Sequence, residues 1–335
     1  MRKNLSAKES TRVEYGKTLA KLGEENSQIV VLDADLSGST QTHHFAKIFK
    51  DRFFNVGIAE QDLMGTAAGL ALGGKIPFAS TFAMFATGRA WEQIRQTIAY
   101  GSLNVKIVAS HGGVTVGEDG GSHQAVEDLA LMRILPNMVV LVPADGPETR
   151  AMTRWAASYQ GPVYMRTGRM AVPLIYDDDY TFELGRGSLL REGQDVTLMG
   201  IGIMVQACLD AAGMLAQAGI AARVVNLGCL KPLDWELVVD SARRTGAVVT
   251  AEEHMVTGGL GSAVSEILAE HCPTPIKRLG LQDTFGMSGK PAELLKHYGL
   301  TAENIKQAAV QVMARKANVQ ASPLLDLQVP SMAGR

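Results

Sequence analysis

The chain has 335 residues, 46% hydrophobic and 20% charged, which suits a globular protein of about two domains at roughly 100–200 residues each. Its 32 basic and 34 acidic residues leave a net charge of −2, which argues against a cationic footprint for nucleic acid and against a polybasic membrane patch. Three separated cysteines, Cys208, Cys229 and Cys272, give no CxxC pair and no disulfide framework, so a reducing, cytoplasmic setting is expected. The opening MRKNLSAKES runs into no apolar stretch, so no secretory signal is expected, and with no uncharged apolar run of about 18 residues no membrane span is expected. The 35 glycines fall in short clusters, as loops at strand ends do.

In the first half, strand-like runs at Ile29–Ala34, Phe53–Gly57, Pro77–Ser80, Val105–Ser110, Val139–Val142 and Val163–Arg166 alternate with helical stretches. The helices are expected at Thr11–Glu24, Ala59–Leu72, Thr81–Ala99, Ala125–Arg133 and Pro147–Ser158. Most of the strand runs are apolar throughout, the pattern of parallel sheets covered on both faces. The last helix is headed by Asp145-Gly-Pro147, a capping residue and a proline tolerated in the first turn. Val172–Leu190, with Pro173, the acidic run Asp177–Asp179 and Gly185, interrupts the pattern. Alternation resumes with strands at Asp195–Gly200, Ala222–Asn226, Ala247–Ala251 and Ile276–Leu279, and helices at Met204–Gln217, Asp234–Arg243 and Leu260–Glu270. The expectation is two α/β domains, residues 1–180 and 181–316, each a mostly parallel sheet flanked by helices, with a tail at 317–335.

Generic nucleotide motifs fail. Gly200-Ile-Gly202 has Val205 where the third glycine of a dinucleotide fingerprint belongs, and Gly259-Leu-Gly261 has Val264 there. Gly289-Lys290 is followed by Pro291, so no phosphate-binding P-loop forms. No HExxH and no cysteine cluster is present, and no metal site built from this chain is expected.

Three segments carry chemistry. Asn55-Val-Gly57-Ile-Ala-Glu60-Gln puts a carboxylate in a helix's first turn, where the helix dipole favours it, either as an ordinary acidic start or as a fixed functional carboxylate. Ser80-Thr-Phe82-Ala-Met-Phe85 places two aromatics on one helical face, either as core or as a platform for a planar heterocycle. His111-Gly-Gly-Val-Thr-Val-Gly-Glu-Asp119-Gly-Gly-Ser-His123-Gln follows a buried strand, where the carboxyl end of a parallel sheet opens into a crevice. Histidines there supply proton transfer near neutral pH. Arg12, Ser39 and Arg166 are candidates for binding an anion.

Together these segments resemble the C-terminal half of a transketolase, over about residues 10–315. The most specific strings are Gly57-Ile-Ala-Glu60-Gln, Ser80-Thr-Phe-Ala-Met-Phe85 and Gly117-Glu-Asp119-Gly-Gly-Ser-His123-Gln. The resemblance implies a pyrimidine-binding domain followed by a C-terminal domain, and thiamine diphosphate as cofactor. It assigns Glu60 to N1′ of the aminopyrimidine, Phe85 to stacking on that ring with Phe82 beside it, and Asp35 to the cofactor's neighbourhood across a subunit interface. For the sugar phosphate it implies Asp119 on a donor hydroxyl, His123 near the reacting carbonyl and His111 toward the phosphate. Arg12, Ser39 and Arg166 match phosphate contacts, for which arginine's bidentate, charge-assisted bonding is suited. Catalytic roles thus fall to Glu60, His111 and His123.

Gly88 stands where many transketolases carry a tyrosine. The Gly-Asp-Gly…Asn signature that holds the diphosphate through Mg²⁺ is missing from the chain. The resemblance therefore implies a split enzyme. A separate N-terminal subunit would hold Mg²⁺ and the diphosphate, and two copies of each chain would make a heterotetramer. The rival readings are a 2-oxoacid dehydrogenase beta subunit, a deoxyxylulose-phosphate synthase-like enzyme and a non-catalytic regulatory homologue.

Overall fold

A computed structural model describes residues 7–321, with side chains to Lys316. The strands are β1 (Lys8–Ser10), β2 (Ile29–Asp33), β3 (Phe53–Asn55), β4 (Ile76–Ser80), β5 (Lys106–Ala109), β6 (Val139–Leu141), β7 (Val163–Arg166) and β8 (Ala171–Pro173). They continue as β9 (Ser188–Arg191), β10 (Val196–Gly200), β11 (Ala222–Asn226), β12 (Cys229–Lys231), β13 (Val248–Met255) and β14 (Ile276–Leu281). A seven-stranded sheet runs β12-β6-β7-β5-β4-β2-β3, and a five-stranded sheet runs β14-β13-β10-β11-β9. Within each sheet only one pairing, β12 on β6 and β9 on β11, is antiparallel. The α/β, mostly parallel, two-domain architecture is thus the expected one.

The runs that read as apolar throughout are the buried central strands: every residue of β2, β5, β7, β10 and β11 is buried. Asp145 caps the Gly146–Ser158 helix by accepting from the Glu148 amide at 3.0 Å, and Asp234 does the same for Leu237 at the head of the Trp235–Thr245 helix.

Four features depart from expectation. The single helix expected over Thr81–Ala99 is broken into π-helical turns at Phe85–Arg89 and Ile94–Ala99 around a short α-turn. Gly88 sits in the first of these, where a Cβ would lie 2.7 Å from Met84 Cε, so only a glycine fits that wider turn unless Met84 shifts. The break over Val172–Leu190 hides two short strands; β8 pairs with β1 in a small ribbon and β9 edges the second sheet. The second domain does not stay within its own sheet, because β12 leaves it to complete the first. Lys231 anchors that crossing by donating to the carbonyls of Arg133 (2.9 Å) and Leu135. The expected tail at 317–335 is in part a continuation of the Ala302–Ala321 helix, which lies over the Met204–Gln217 helix and was not anticipated. Residues 322–335, and the leader-free start expected of residues 1–6, lie outside the described residues.

One hydrophobic core joins Ile107, Val140 and Tyr164 of the first sheet to Val225, Leu230 and Leu260 of the second domain. The domains should therefore unfold together. Leu230 on β12 is fully buried in that shared core. Leu230→Ala is expected to cost about 2–5 kcal/mol. Urea unfolding should show a lower midpoint in one transition with an unchanged slope.

Candidate active site

The functional candidates converge on the carboxyl edge of the first sheet, where chain order reverses around β2 and such folds bind ligands. Beyond β3, Gly57 turns the chain at φ +76° and Glu60 opens the Glu60–Leu72 helix with its side chain buried. Its Oε2 accepts from Arg89 Nη1 at 2.9 Å, and Arg89 is half-exposed. The same guanidinium lies 4.8 Å from the centre of the Phe85 ring, a cation–π contact. Arg89 was not singled out from the sequence, because its bond to Glu60 joins two helices and leaves no local signature.

Beyond β4 and β5 the aromatic platform meets the histidines. Phe82 and Phe85 lie nearly parallel with centres 5.9 Å apart. The His111 ring stacks on Phe82 at 3.9 Å, and His123 meets Phe85 edge-on at 5.2 Å. Five expected residues, Glu60, Phe82, Phe85, His111 and His123, thus share one site.

Its far end is cationic. Arg12 Nη1 donates to the Ser39 carbonyl at 2.7 Å, while Arg12 Nε is buried without a partner. Burial and the nearby positive charge of Arg169 both lower the Arg12 pKa, the mark of two cations kept close. Arg169 Nη1 donates to Val116 O at 2.6 Å and lies 3.7 Å from Glu118 and Asp119. Two guanidiniums held together, one with an unpaired buried donor, are arranged for an anion.

Arg166 does not join them. Its guanidinium is buried, with Nε 3.3 Å from Asp128 Oδ2 and Nη2 donating to the carbonyls of Glu253 (2.9 Å) and Ala125 (3.2 Å). Arg166, expected among the anion-binding candidates, thus faces the domain boundary, and it is Arg169, three residues on, whose charge bears on Arg12. Asp35 also stands apart, exposed at the end of β2 with φ +62° and tied to Asn55 by two hydrogen bonds of 3.1 and 2.9 Å.

His111 has φ +62° and shares a 2.8 Å hydrogen bond through Nδ1 with Ser110 Oγ. Burial, then the charges of Arg12, Arg169 and His123, push its pKa down to about 3. The surroundings thus favour the neutral imidazole over the imidazolium. Among the described residues no cluster of His, Cys, Asp and Glu could hold a metal ion. A buried carboxylate beside an aromatic platform fits an aminopyrimidine, whose ring nitrogen and flat face need one partner of each kind.

The family profile "Transketolase, pyrimidine binding domain" matches residues 7–174, and "Transketolase, C-terminal domain" matches residues 185–305. The chain belongs to the transketolase family. It is 50% identical over 305 residues to the transketolase C-terminal section of Methanocaldococcus jannaschii, covering 90% of this chain and 96% of that one. It is 44% identical over 302 residues to the 6-deoxy-6-sulfo-D-fructose transketolase subunit SqwH of Clostridium sp. strain MSTE9, covering 90% and 94%. A solved split-gene transketolase, described as an inactive beta4 tetramer, superposes with a TM-score of 0.86 at 58% identity, over 92% of this chain and 99% of that one. Against full-length transketolases and deoxyxylulose-phosphate synthases the chain spans about half their length. No helix among the described residues is long and apolar enough to cross a membrane.

Because the folded pKa of His111 lies below the ordinary 6.5, the unfolded chain binds the extra proton first as pH falls. The stability His111 confers is complete above pH ~6.5 and is lost progressively toward pH ~3. His111→Gln should flatten the fall in stability across that window, measured by urea unfolding at a series of pH values, and nitrogen NMR should show no His111 titration between pH ~5 and ~8.

Proposed function

We propose that this chain is the C-terminal subunit of a two-chain transketolase that moves a two-carbon ketol unit between sugar phosphates. The observation that carries the reading is the meeting, at one sheet edge, of a buried carboxylate, an aromatic platform, two histidines and a pair of cations. When bound, thiamine diphosphate supplies the nucleophilic carbon for such a transfer.

The chain's own residues then divide the work. Glu60 bonds the pyrimidine N1′, and Phe85, with Phe82 beside it, offers the stacking surface; Asp35 faces outward toward a neighbouring subunit. His123 sits at the edge of that platform, placed to move a proton to or from the reacting oxygen. Neutral His111 donates or accepts a single hydrogen bond toward the sugar. Arg12, Ser39 and Arg169 receive the anionic terminus, and Asp119, beside Arg169, accepts from a donor hydroxyl. An anionic end group fits both the phosphorylated sugars of ordinary transketolases and a sulfonated sugar of the kind named for the Clostridium relative.

Mg²⁺ and the diphosphate fall to a separate N-terminal subunit. Relatives named as a C-terminal section and as a split-gene product support that division. So does a surface beside Glu60 on which Phe54, Ile58 and Leu72 are exposed and Gly65 and Gly69 have open space above them. Apolar groups with room for a close backbone approach suit a subunit contact, and a heterotetramer follows from two-fold symmetry. The three cysteines are free, in keeping with a cytoplasmic setting. The cationic end favours this reading over a 2-oxoacid dehydrogenase beta subunit, whose substrates lack a phosphate terminus.

Glu60→Ala is expected to abolish ketol transfer by the chain reconstituted with an N-terminal subunit, thiamine diphosphate and Mg²⁺, while the complex still assembles on a sizing column. Undiminished transfer by the variant, or decarboxylation of pyruvate without ketol transfer by the wild-type pair, contradicts the proposal.

A further inference from the structure

The loop that carries Asp119 and His123 belongs to the first domain, yet the second domain determines its shape. Its neck is closed by Gly113 N donating to Ala125 O at 2.7 Å. Just beyond, Glu253, at the carboxyl end of β13, extends its carboxylate across the domain boundary and accepts from the Thr115 amide. Glu253 is buried, and Arg166 of the first domain holds its backbone carbonyl at 2.9 Å. The loop is fitted around these two side chains. A Cβ on Gly112 would lie 1.8 Å from Arg166 Nε, and one on Gly113, at φ +82°, would lie 2.2 Å from the Glu253 carboxyl carbon. Neither glycine has room for any side chain, and Gly113 has a backbone conformation that L residues rarely adopt.

The outer part of the loop is held from the other side. Gln124 Nε2 donates to Val114 O, Gly117 O and, across the boundary, Met287 O at 2.9 Å. A Cβ on Gly120 would lie 2.5 Å from Ser288 Oγ, and one on Gly121 would lie 2.5 Å from Gly286 O. The loop is therefore gripped at its neck by Glu253 and at its tip by residues 286–288.

We propose that Glu253 is a positioning residue for the sugar-binding loop: its carboxylate, acting through the Thr115 amide, sets the loop conformation that presents Asp119 and His123 to the substrate. Glu253 touches neither cofactor nor sugar in this account. Its burial raises its pKa, while the Arg166 charge and the Thr115 hydrogen bond oppose that rise, so the two partners that orient the carboxylate also favour its charged form. A charge-assisted hydrogen bond to a backbone amide is stronger and more directional than a neutral one, which suits a group that must fix a glycine-rich segment. The second domain, remote from the pyrimidine platform, thereby gains a defined part in substrate recognition.

The assignment of Asp119 and His123 to sugar binding rests on the transketolase reading, whereas the effect of Glu253 on the loop does not. Hydrogen exchange of the chain without partner isolates the second. Glu253→Ala is expected to speed exchange at residues 113–117 by about tenfold or more, the scale of a lost charge-assisted hydrogen bond. Glu253→Gln, whose amide oxygen still accepts from Thr115, should retain most of the protection. Glu253→Asp keeps the charge but falls short by a methylene, so it should behave like the alanine variant and serves if alanine fails to fold. In the reconstituted enzyme, KM for a ketose phosphate should rise in the alanine and aspartate variants and recover in glutamine, with thiamine diphosphate affinity, read by fluorescence quenching, unchanged. Unchanged exchange at 113–117 in the alanine and aspartate variants overturns the proposal. So does a loss of cofactor affinity in step with the rise in KM, which would mark a general structural defect. Faster exchange without ketol transfer by any form, wild type included, leaves the loop assignment standing and contradicts the transketolase reading instead.

Discussion

The buried guanidinium of Arg166 is the interaction on which the arrangement of the site depends. It stands at the end of β7, facing the second domain, with Asp128 against its Nε and two carbonyls, one from each domain, on its Nη2. Asp128 Oδ2 also accepts from the Tyr164 hydroxyl at 2.6 Å, so that oxygen meets a cation and a donor, while Oδ1 is buried without a hydrogen-bond partner. Removing one partner from such a buried pair leaves an uncompensated charge and is strongly destabilising. Here the pair is built into the boundary between domains. It holds the Glu253 backbone and, through the Ala125 carbonyl, the neck of the Gly112–Gly121 loop, while the next arginine, Arg169, bonds within that loop at Val116 O.

This explains which parts of the molecule were legible in the sequence. The central strands announced themselves because burial on both faces demands apolar residues at every position, as in the Ile29–Asp33 run. The helix capped by Asp145 was equally plain, whereas Asp234, read as the first residue of its helix, is that helix's cap. The site's aromatic and histidine cluster was legible because its members follow two strands, β4 and β5, that the parallel sheet places side by side. Arg166 and Arg169 could not be told apart, since beyond β7 the chain leaves the strand and no period says which one turns inward. Only the presence of Asp128 and Glu253 on the inner side decides it. Arg89 escaped notice for another reason: helical period puts it on the face of Phe82 and Phe85, but its bond to Glu60 is a contact between two helices that no local pattern announces. The short β12 strand was hidden because three residues carry no pattern, and its pairing to the first sheet is a tertiary event.

The two ends of the site differ in completeness. In the proposed reading the sugar end is assembled within one chain, from Arg12, Ser39, the histidines, Asp119 and Arg169, and its loop is braced by both domains. The cofactor end offers one carboxylate and one aromatic face, and Arg89 occupies the space between them by bonding Glu60 while lying over Phe85. Arg89 thereby gives the buried Glu60 carboxylate a charged donor within the chain itself. The glycine-rich composition likewise has a structural reason at the site: Gly112, Gly113, Gly120 and Gly121 are the positions where the two domains close on the loop without room for a Cβ.

The central claim is that this chain holds half of an active centre. It is tested most directly by titrating an N-terminal subunit into a fixed amount of the chain, with thiamine diphosphate and Mg²⁺ in excess, while following ketol transfer from a ketose phosphate. The account predicts no transfer by either chain alone and a rise to a plateau at equal amounts of the two. Transfer by this chain alone at the plateau rate would contradict it.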